Sequence, residues 1–396
     1  MSEDRALPAG WRTLRFDEFA KSIVERVNPG EADEDIYVGL EHLDPESLKI
    51  QRWGTPADVV GEKLRFRAGD VIFGRRRFYQ RKVAVAEFDG ICSAHAMVLR
   101  ARDDVMLQSF LPFFLQSQTF FQRAMQISVG SLSPTINWRA LARQEFVVPP
   151  LDEQQRIAEI LWAAEAVVDG WQRVHEALGA VSTSVRDEII CAPAHPRRPL
   201  ADCLIGIVPG RSVVGVNEPA AQNERGVLKV SAVGPKGFEA NENKRLLDPS
   251  NFMPIFQVRA GDLLMTRANT RELVGRVCIV PRDYCNLMLC DKTLRLDVRE
   301  DVAIKGFLEE VLLSGQLRMQ IEAAASGTGG AMKNISQDRV RRLRIPLPEI
   351  DSQTRIAAYV RNIRSVRESV EAHLQQSTAC KKALLERLLV EGVSDV

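Results

Sequence analysis

One stretch occurs twice, and the rest of the chain is arranged around its two copies. Pro149-Pro150-Leu151-Asp152-Glu153-Gln154-Gln155-Arg156-Ile157-Ala158 is answered about half a chain later by Pro348-Glu349-Ile350-Asp351-Ser352-Gln353-Thr354-Arg355-Ile356-Ala357. A long helical pattern follows each copy. In the first, Ile157, Ile160, Ala164, Val167, Trp171, Val174, Leu178, Val181 and Val185 are spaced alternately by three and four, the a/d seam of a coiled coil. Asp152 reads as the N-cap and Pro193 and Pro196 as the stop. About 40 helical residues at 1.5 Å rise make a rod roughly 60 Å long. The second seam is Ile356, Tyr359, Ile363, Val366, Val370, His373, Ser377, Cys380 and Leu384, with His373 and Ser377 softening its middle. A lone amphipathic helix of this length needs a partner, and the simplest is its own copy, parallel or antiparallel.

The segments between the rods repeat as well. Residues 1–150 have strand composition at Asp35–Leu40, Val71–Phe73, Lys82–Phe88 and Ile91–Leu99, then one helical stretch, Leu107–Met125, and a polar loop, Ser128–Thr135. Residues 193–348 follow the same plan: Ala260-Gly261-Asp262-Leu263 answers Ala68-Gly69-Asp70-Val71, Phe307–Ala324 is the helical stretch, and Ser326–Asn334 is the loop. The expected fold class is therefore α+β: two strand-rich domains (1–150 and 193–348) alternating with two long helices (151–192 and 349–396) that pair as a coiled coil, with pseudo-twofold internal symmetry.

Composition narrows the class. The charged fraction is 27% and the apolar fraction 45%, as in ordinary globular proteins. The start, Met1-Ser2-Glu3-Asp4-Arg5, does not read as a signal peptide, no apolar run reaches membrane-helix length, and seven scattered cysteines fit a reducing compartment. The expectation is a cytoplasmic protein with no membrane partner. The net charge of +1 conceals a division: residues 1–150 carry 20 Lys and Arg against 20 Asp and Glu, residues 193–348 carry 23 against 17, and residues 151–192 carry 3 against 8. A nucleic-acid surface on such a chain is a local patch.

Two patches stand out, each just after a Gly-Asp turn and its strand. The first is Arg75-Arg76-Arg77-Phe78-Tyr79-Gln80-Arg81-Lys82. Five cations with two aromatics suit phosphate contact, and arginine also takes guanine edges bidentately. Its counterpart is Arg267-Ala268-Asn269-Thr270-Arg271, where Arg and Asn are readers of guanine and adenine. The expected DNA contacts are Arg75, Arg76, Arg77, Tyr79, Arg81 and Lys82 in the first domain, and Arg267, Asn269, Thr270, Arg271 and the loop cation Lys333 in the second. The Gly-rich 326–334 loop lacks the Gly-Lys-Ser/Thr ending of a P-loop. Cys278, Cys285 and Cys290 lack metal-ligand spacing and read as core residues, and His42 and His95 as structural. No nucleophile elbow, dinucleotide fingerprint or base-holding Asn/Asp-Pro-Pro-aromatic run occurs. The chain reads as a non-catalytic reader without a metal.

With these features in hand, the chain resembles the specificity subunit of a Type I restriction–modification system over nearly its whole length. The strongest signatures are Pro149 to Ile157 and the closing Lys381-Lys382-Ala383-Leu384-Leu385-Glu386-Arg387-Leu388-Leu389; the second spacer departs from the usual Glu-Gln-Xaa-Xaa-Ile at Ser352-Gln353-Thr354-Arg355-Ile356. The resemblance implies that each target-recognition domain binds one half of a split double-stranded DNA sequence, that the paired helices set the gap, and that two modification (methyltransferase) subunits dock on the helices. Those subunits carry S-adenosylmethionine and methylate adenine at N6; restriction subunits using ATP and Mg²⁺ complete the assembly, and this chain holds no cofactor of its own. Two other readings stay open at this point: the recognition module of a Type IIB-like system, and a protein scaffold without DNA binding.

Overall fold

The computed structural model describes residues 7, 9–45, 47–185, 188, 190, 192, 193, 195–327 and 332–390. By its contacts the chain divides into two units: Met1–Val174 with Val370–Val396, and His175–Ser369. Each long helix starts in one unit and ends in the other. The central helix spans Leu151–Val185 and the C-terminal helix Ile350–Val390.

In the first unit Arg12–Arg15 pairs antiparallel with Glu145–Val148, which closes the domain just before the central helix. An antiparallel four-stranded sheet runs Ala20–Ile23, Ala96–Ala101, Val71–Gly74, Val83–Val85. A second sheet runs Arg26–Val27, Lys63–Phe66, Gly90–Cys92, Tyr37–Val38, its last pair parallel. The expected strand over Ile91–Leu99 is thus two strands in different sheets, and the expected strand at Asp35–Leu40 is only Tyr37–Val38. The second unit repeats the closing pair as Arg197–Pro199 with Arg344–Pro346, and the four-stranded sheet as Leu204–Pro209, Thr293–Val298, Leu263–Thr266, Val277–Ile279.

The duplicated Ala-Gly-Asp turn has a physical cause. Gly69 (φ 90°) and Gly261 (φ 75°) take the left-handed backbone region that favours glycine. The following aspartate then closes the turn: Asp70 Oδ2 accepts from Arg67 N and Asp262 Oδ2 from Arg259 N, both at 2.9 Å. Asp70 is buried, and Arg100 Nε donates to its Oδ1 at 2.7 Å. Asp262 is more weakly served, with Arg295 at 3.8 Å, and burial pushes its carboxyl above the usual range.

Each expected single helix after the sheets is broken by a serine. Ser117 separates Leu111–Gln116 from Gln118–Ile127, and Ser314 separates Lys305–Leu313 from Gly315–Ala324. Both serines are extended, and each hydroxyl accepts the amide three residues on, from Phe120 N and Leu317 N. The local N-cap bond outcompetes helix continuation.

The cores explain why the long helices dock. Phe16, Phe19, Phe73, Phe110, Phe113, Phe114, Phe120 and Phe146 cluster with Ile157, Ala158 and Leu161 of the central helix and Leu389 of the C-terminal helix. In the second unit Leu263, Leu294, Phe307 and Leu308 cluster with Ile356, Ala357 and Val360, with Val185 packed against them. The helix start is pinned by a buried glutamine in both units. Gln154 Oε1 accepts from Leu107 N at 2.8 Å, and its Nε2 donates to Val105 O (2.8 Å) and Pro149 O (2.9 Å). Gln353 repeats this with Ile304 N (3.0 Å), Val302 O (3.0 Å) and Pro348 O (2.8 Å). The helix begins at Leu151, so Asp152 lies in its first turn and is not the cap.

The helices pair antiparallel within the first unit: Glu165 meets Lys381, and the Trp171 ring stacks on His373 at 4.9 Å. The buried face is not the expected seam. Ile157 is buried, but Val167 is 52% and Val174 42% exposed, while Ala158, Leu161, Glu165, Val168 and Asp169 are buried. On the C-terminal helix Ile356 and Val370 are buried, yet Tyr359 and Val366 are each 51% exposed. The inward stripe on the central helix is displaced by one residue, about 100° around the helix.

Candidate nucleic-acid interface

Both expected reading loops connect the two strands of an antiparallel pair, Val71–Gly74 to Val83–Val85 and Leu263–Thr266 to Val277–Ile279, and meet the Ser/Gly loop that precedes the long helix. In the first unit the chain turns at Phe78–Gln80, between Arg77 (φ 53°) and Arg81 (φ 51°). Left-handed backbone at two non-glycine residues costs roughly 1–2 kcal/mol each. The turn is held by Phe78, 2% exposed, whose ring lies 5.8 Å from that of Phe121. Backbone bonds then join this loop to the 128–135 loop: Arg77 N donates to Pro134 O at 2.8 Å and Ile136 N to Arg75 O at 3.1 Å.

The six expected contacts of this loop separate by what their side chains touch. Arg81 Nη2 donates to Gln118 Oε1 at 2.5 Å, and its guanidinium lies 4.2 Å from the centre of the Phe121 ring. Lys82 Nζ donates to Leu40 O at 2.5 Å. Both are occupied within the fold. Arg76, Arg77 and Tyr79 are exposed, and Arg75 is half-buried. Arg76 Nε donates to Ser133 Oγ at 2.9 Å, and Nη1 approaches His95 Nε2 at 3.1 Å. Partial desolvation, Arg76, Arg75 and Lys63 hold the His95 imidazole below its ordinary pKa. A neutral ring with its proton on Nδ1 accepts the arginine hydrogen.

The second unit builds the same junction with other residues. Ala268–Asn269 pairs antiparallel with Lys333–Asn334, and Ile335 N donates to Arg267 O at 3.0 Å. Asn269 Oδ1 accepts from Thr270 N at 2.9 Å. Thr270 and Arg271 are exposed, Arg267, Asn269 and Lys333 half-buried. Arg271 pairs with Glu322 at 3.0 Å, and Lys333 Nζ donates to Gly327 O at 3.1 Å. Residues 328–331 of the Gly-rich loop lie outside the described residues.

The structure thus brings together, unit by unit, two loops that the sequence marks separately. It also adds Ser133 and His95, whose signal in the sequence is slight: a serine in a serine-rich loop and a single histidine before a strand. Among the cysteines, burial pushes the Cys278 thiol up to about 12, whereas Cys285 is exposed and is not a core residue. Among the described residues no group of His, Cys, Asp and Glu is placed to hold a metal ion, and no helix is long and apolar enough to cross a membrane.

A family model described as the Type I restriction modification DNA specificity domain matches residues 60–169, which hold the Arg75–Lys82 loop, the Ser loop and the start of the central helix. The chain is 29% identical to the Type I restriction enzyme EcoEI specificity subunit of Escherichia coli over 41% of its own length and 27% of that protein. It is 20% identical to the MjaVIII specificity subunit of Methanocaldococcus jannaschii over 97% of its length and 93% of that relative. The matches to the EcoEI and EcoDI subunits cover less than half of those proteins, 27% and 40%. Among solved structures, a chain from work on complex assembly and conformational transition of the type I R-M system aligns with a TM-score of 0.60 at 19% identity, over 98% of both chains. The S subunit from M. genitalium aligns with a TM-score of 0.59 at 11% identity, again over 98% of both; at these identities the likeness concerns the fold. With the duplicated domains and long helices described above, these matches make the chain similar, in sequence over the 60–169 region and in fold over nearly its whole length, to the specificity subunits of Type I restriction–modification systems.

Proposed function

We propose that this chain is the DNA-reading subunit of a Type I restriction–modification complex, with one half of a bipartite target read by residues 1–150 and the other by residues 193–348. The observation that carries this is the duplicated junction. The same backbone bonds hold it in both units, Ile136 N to Arg75 O and Ile335 N to Arg267 O, while the side chains presented differ: Arg76, Arg77 and Tyr79 in one, Asn269, Thr270 and Arg271 in the other. Equivalent frames with unlike side chains suit two different half-sites. Phosphate contact falls to the exposed cations, and Arg81 and Lys82 support the loop from behind.

The long helices, running from one unit into the other, set the interval between the halves and carry the partners. Val167 and Val366 occupy matching positions in the two copies and are 52% and 51% exposed. Two equivalent apolar faces favour two modification subunits. S-adenosylmethionine and the methylation of adenine N6 belong to those subunits, and ATP and Mg²⁺ to the restriction subunits. The chain itself binds no cofactor and works where the DNA is, in the cytoplasm.

Sequencing DNA from cells that express the modification subunit with and without this chain tests the reading. N6-methyladenine present only with the chain, in a two-part motif of fixed gap, is the expected result. A stable complex that methylates nothing new overturns it in favour of a scaffold.

A further inference from the structure

Among the described residues of the Arg75–Lys82 loop, Arg76 alone is exposed while its guanidinium is fixed by side chains from two other segments. Ser133 Oγ accepts from Nε at 2.9 Å and His95 Nε2 from Nη1 at 3.1 Å. The backbone holds it as well: Arg76 N donates to His95 O at 3.3 Å, and Arg76 bridges to Thr135. These bonds leave Nη2 and one Nη1 hydrogen at the outer end of the side chain, the pair of donors that matches a guanine O6/N7 edge. An arginine already ordered loses less rotamer freedom on binding than one that orders at the DNA.

The second unit supplies an internal control. Arg76 is matched by Ala268, which pairs with Asn334 as Arg76 pairs with Thr135. In the same register Ser133 is matched by Met332. His95, directly before the strand residue Ala96, is matched by Lys292, directly before Thr293. The bridge to the Ser/Gly loop is kept, the amide that reaches the carbonyl before the strand shifts by one residue (Arg76 N to His95 O in the first unit, Arg267 N to Lys292 O in the second), and all three side chains change together. A trio needed to build the frame would recur in both units; a trio that serves one half-site would not.

We propose that Arg76 reads a guanine in the half-site bound by the first unit, and that His95 and Ser133 are positioning residues that fix its guanidinium for that contact. This rests on the DNA-reading function proposed above. The imidazole must be neutral to accept from Arg76, and the surrounding Arg75, Arg76 and Lys63 cations favour that form.

The test uses the full chain assembled with its modification subunits and duplexes in which each base pair of the methylated motif is replaced in turn. Arg76→Ala is expected to lose roughly 10- to 100-fold discrimination at one G·C pair of one half-site and to leave the other half unchanged. Arg76→Lys keeps the charge but not the fork, so it loses the same discrimination while retaining affinity for non-specific DNA. His95→Ala loses about tenfold at that same pair, and His95→Gln, which restores an acceptor, recovers it. The inference is overturned if Arg76→Ala weakens all duplexes alike, as a phosphate contact does, or if His95→Ala and His95→Gln behave the same. A wild-type complex with no sequence preference removes the DNA-reading function and this inference together. A wild-type complex with a preference that Arg76→Ala and Arg76→Lys leave intact removes this inference alone. Unfolding midpoints of each variant guard against loss of fold, and Arg76→Lys carries the test if His95→Ala is unstable.

Discussion

Lys381 Nζ lies 2.7 Å from Glu165 Oε2, an ion pair between helices 216 residues apart in which the carboxylate is 1% and the ammonium 10% exposed. The other carboxylate oxygen accepts Leu48 N at 2.8 Å. A single group thus ties both helices to the first domain. Lys381→Met strands a buried carboxylate and is expected to cost about 3–5 kcal/mol. In Glu165→Gln/Lys381→Met the neutral amide still accepts from Leu48 N, and the loss falls to about 1 kcal/mol. Urea denaturation of the two variants checks this; equal losses would show that the pair is not the source.

Gln154 and Gln353 each close three backbone bonds at the foot of a long helix. Gln154→Ala leaves one amide and two carbonyls without that partner in a site where the side chain is 0% exposed. The expected cost is about 3 kcal/mol. Hydrogen exchange should quicken at Leu107 in Gln154→Ala and at Ile304 in Gln353→Ala. Loss of protection at both sites in either variant contradicts the local role.

The loop cations divide into supporting and exposed groups, and salt separates them. Arg77→Ala should lower the slope of log K against log salt by about 1, the share of one phosphate. Arg81→Ala breaks the bond to Gln118 and the contact with Phe121. It should destabilise the loop by about 1 kcal/mol in thermal melts. A changed salt slope with unchanged stability in Arg81→Ala would reverse the assignment.

His95 makes the first junction sensitive to acid. Its pKa is ordinarily 6.5 and lies lower in the fold, because of partial desolvation and the Arg76, Arg75 and Lys63 cations. Between the two values the unfolded chain binds more protons, so this contribution to stability is present above 6.5 and is lost as pH falls through the folded value. Urea midpoints from about pH 7.5 down to about pH 5 should fall more steeply for the wild type than for His95→Gln. Parallel curves would show that the imidazole does not titrate in this setting.

Much of the architecture is legible in the chain because it is written twice. The Gly69-Asp70 and Gly261-Asp262 turns, the Pro-rich starts of the helices and the charged loops recur in the same order, and a repeated local signal survives noise in either copy. Glycine at positive φ and aspartate closing onto its own turn are local effects, so adjacent residues suffice to announce them.

What the sequence by itself determined was the plan of two similar strand-rich domains and two long helices, together with the recurrence of a charged loop after each Gly-Asp turn and its strand. What only the tertiary structure decided was which helix face is buried and which loop cations are exposed. The apolar seam through Val167 and Val174 has the regular heptad spacing, yet the buried stripe beside it carries Glu165 and Asp169. These charges can be buried because Lys381 and Lys49 reach them, at 2.7 and 2.8 Å, from segments far away in sequence. Periodicity records the polarity of a side chain; it does not record the distant partner that satisfies it. The same holds for Arg76 and Arg81, neighbours in one arginine-rich run. Ser133 and His95 hold one of them at the surface, and Gln118 and Phe121 fold the other inward.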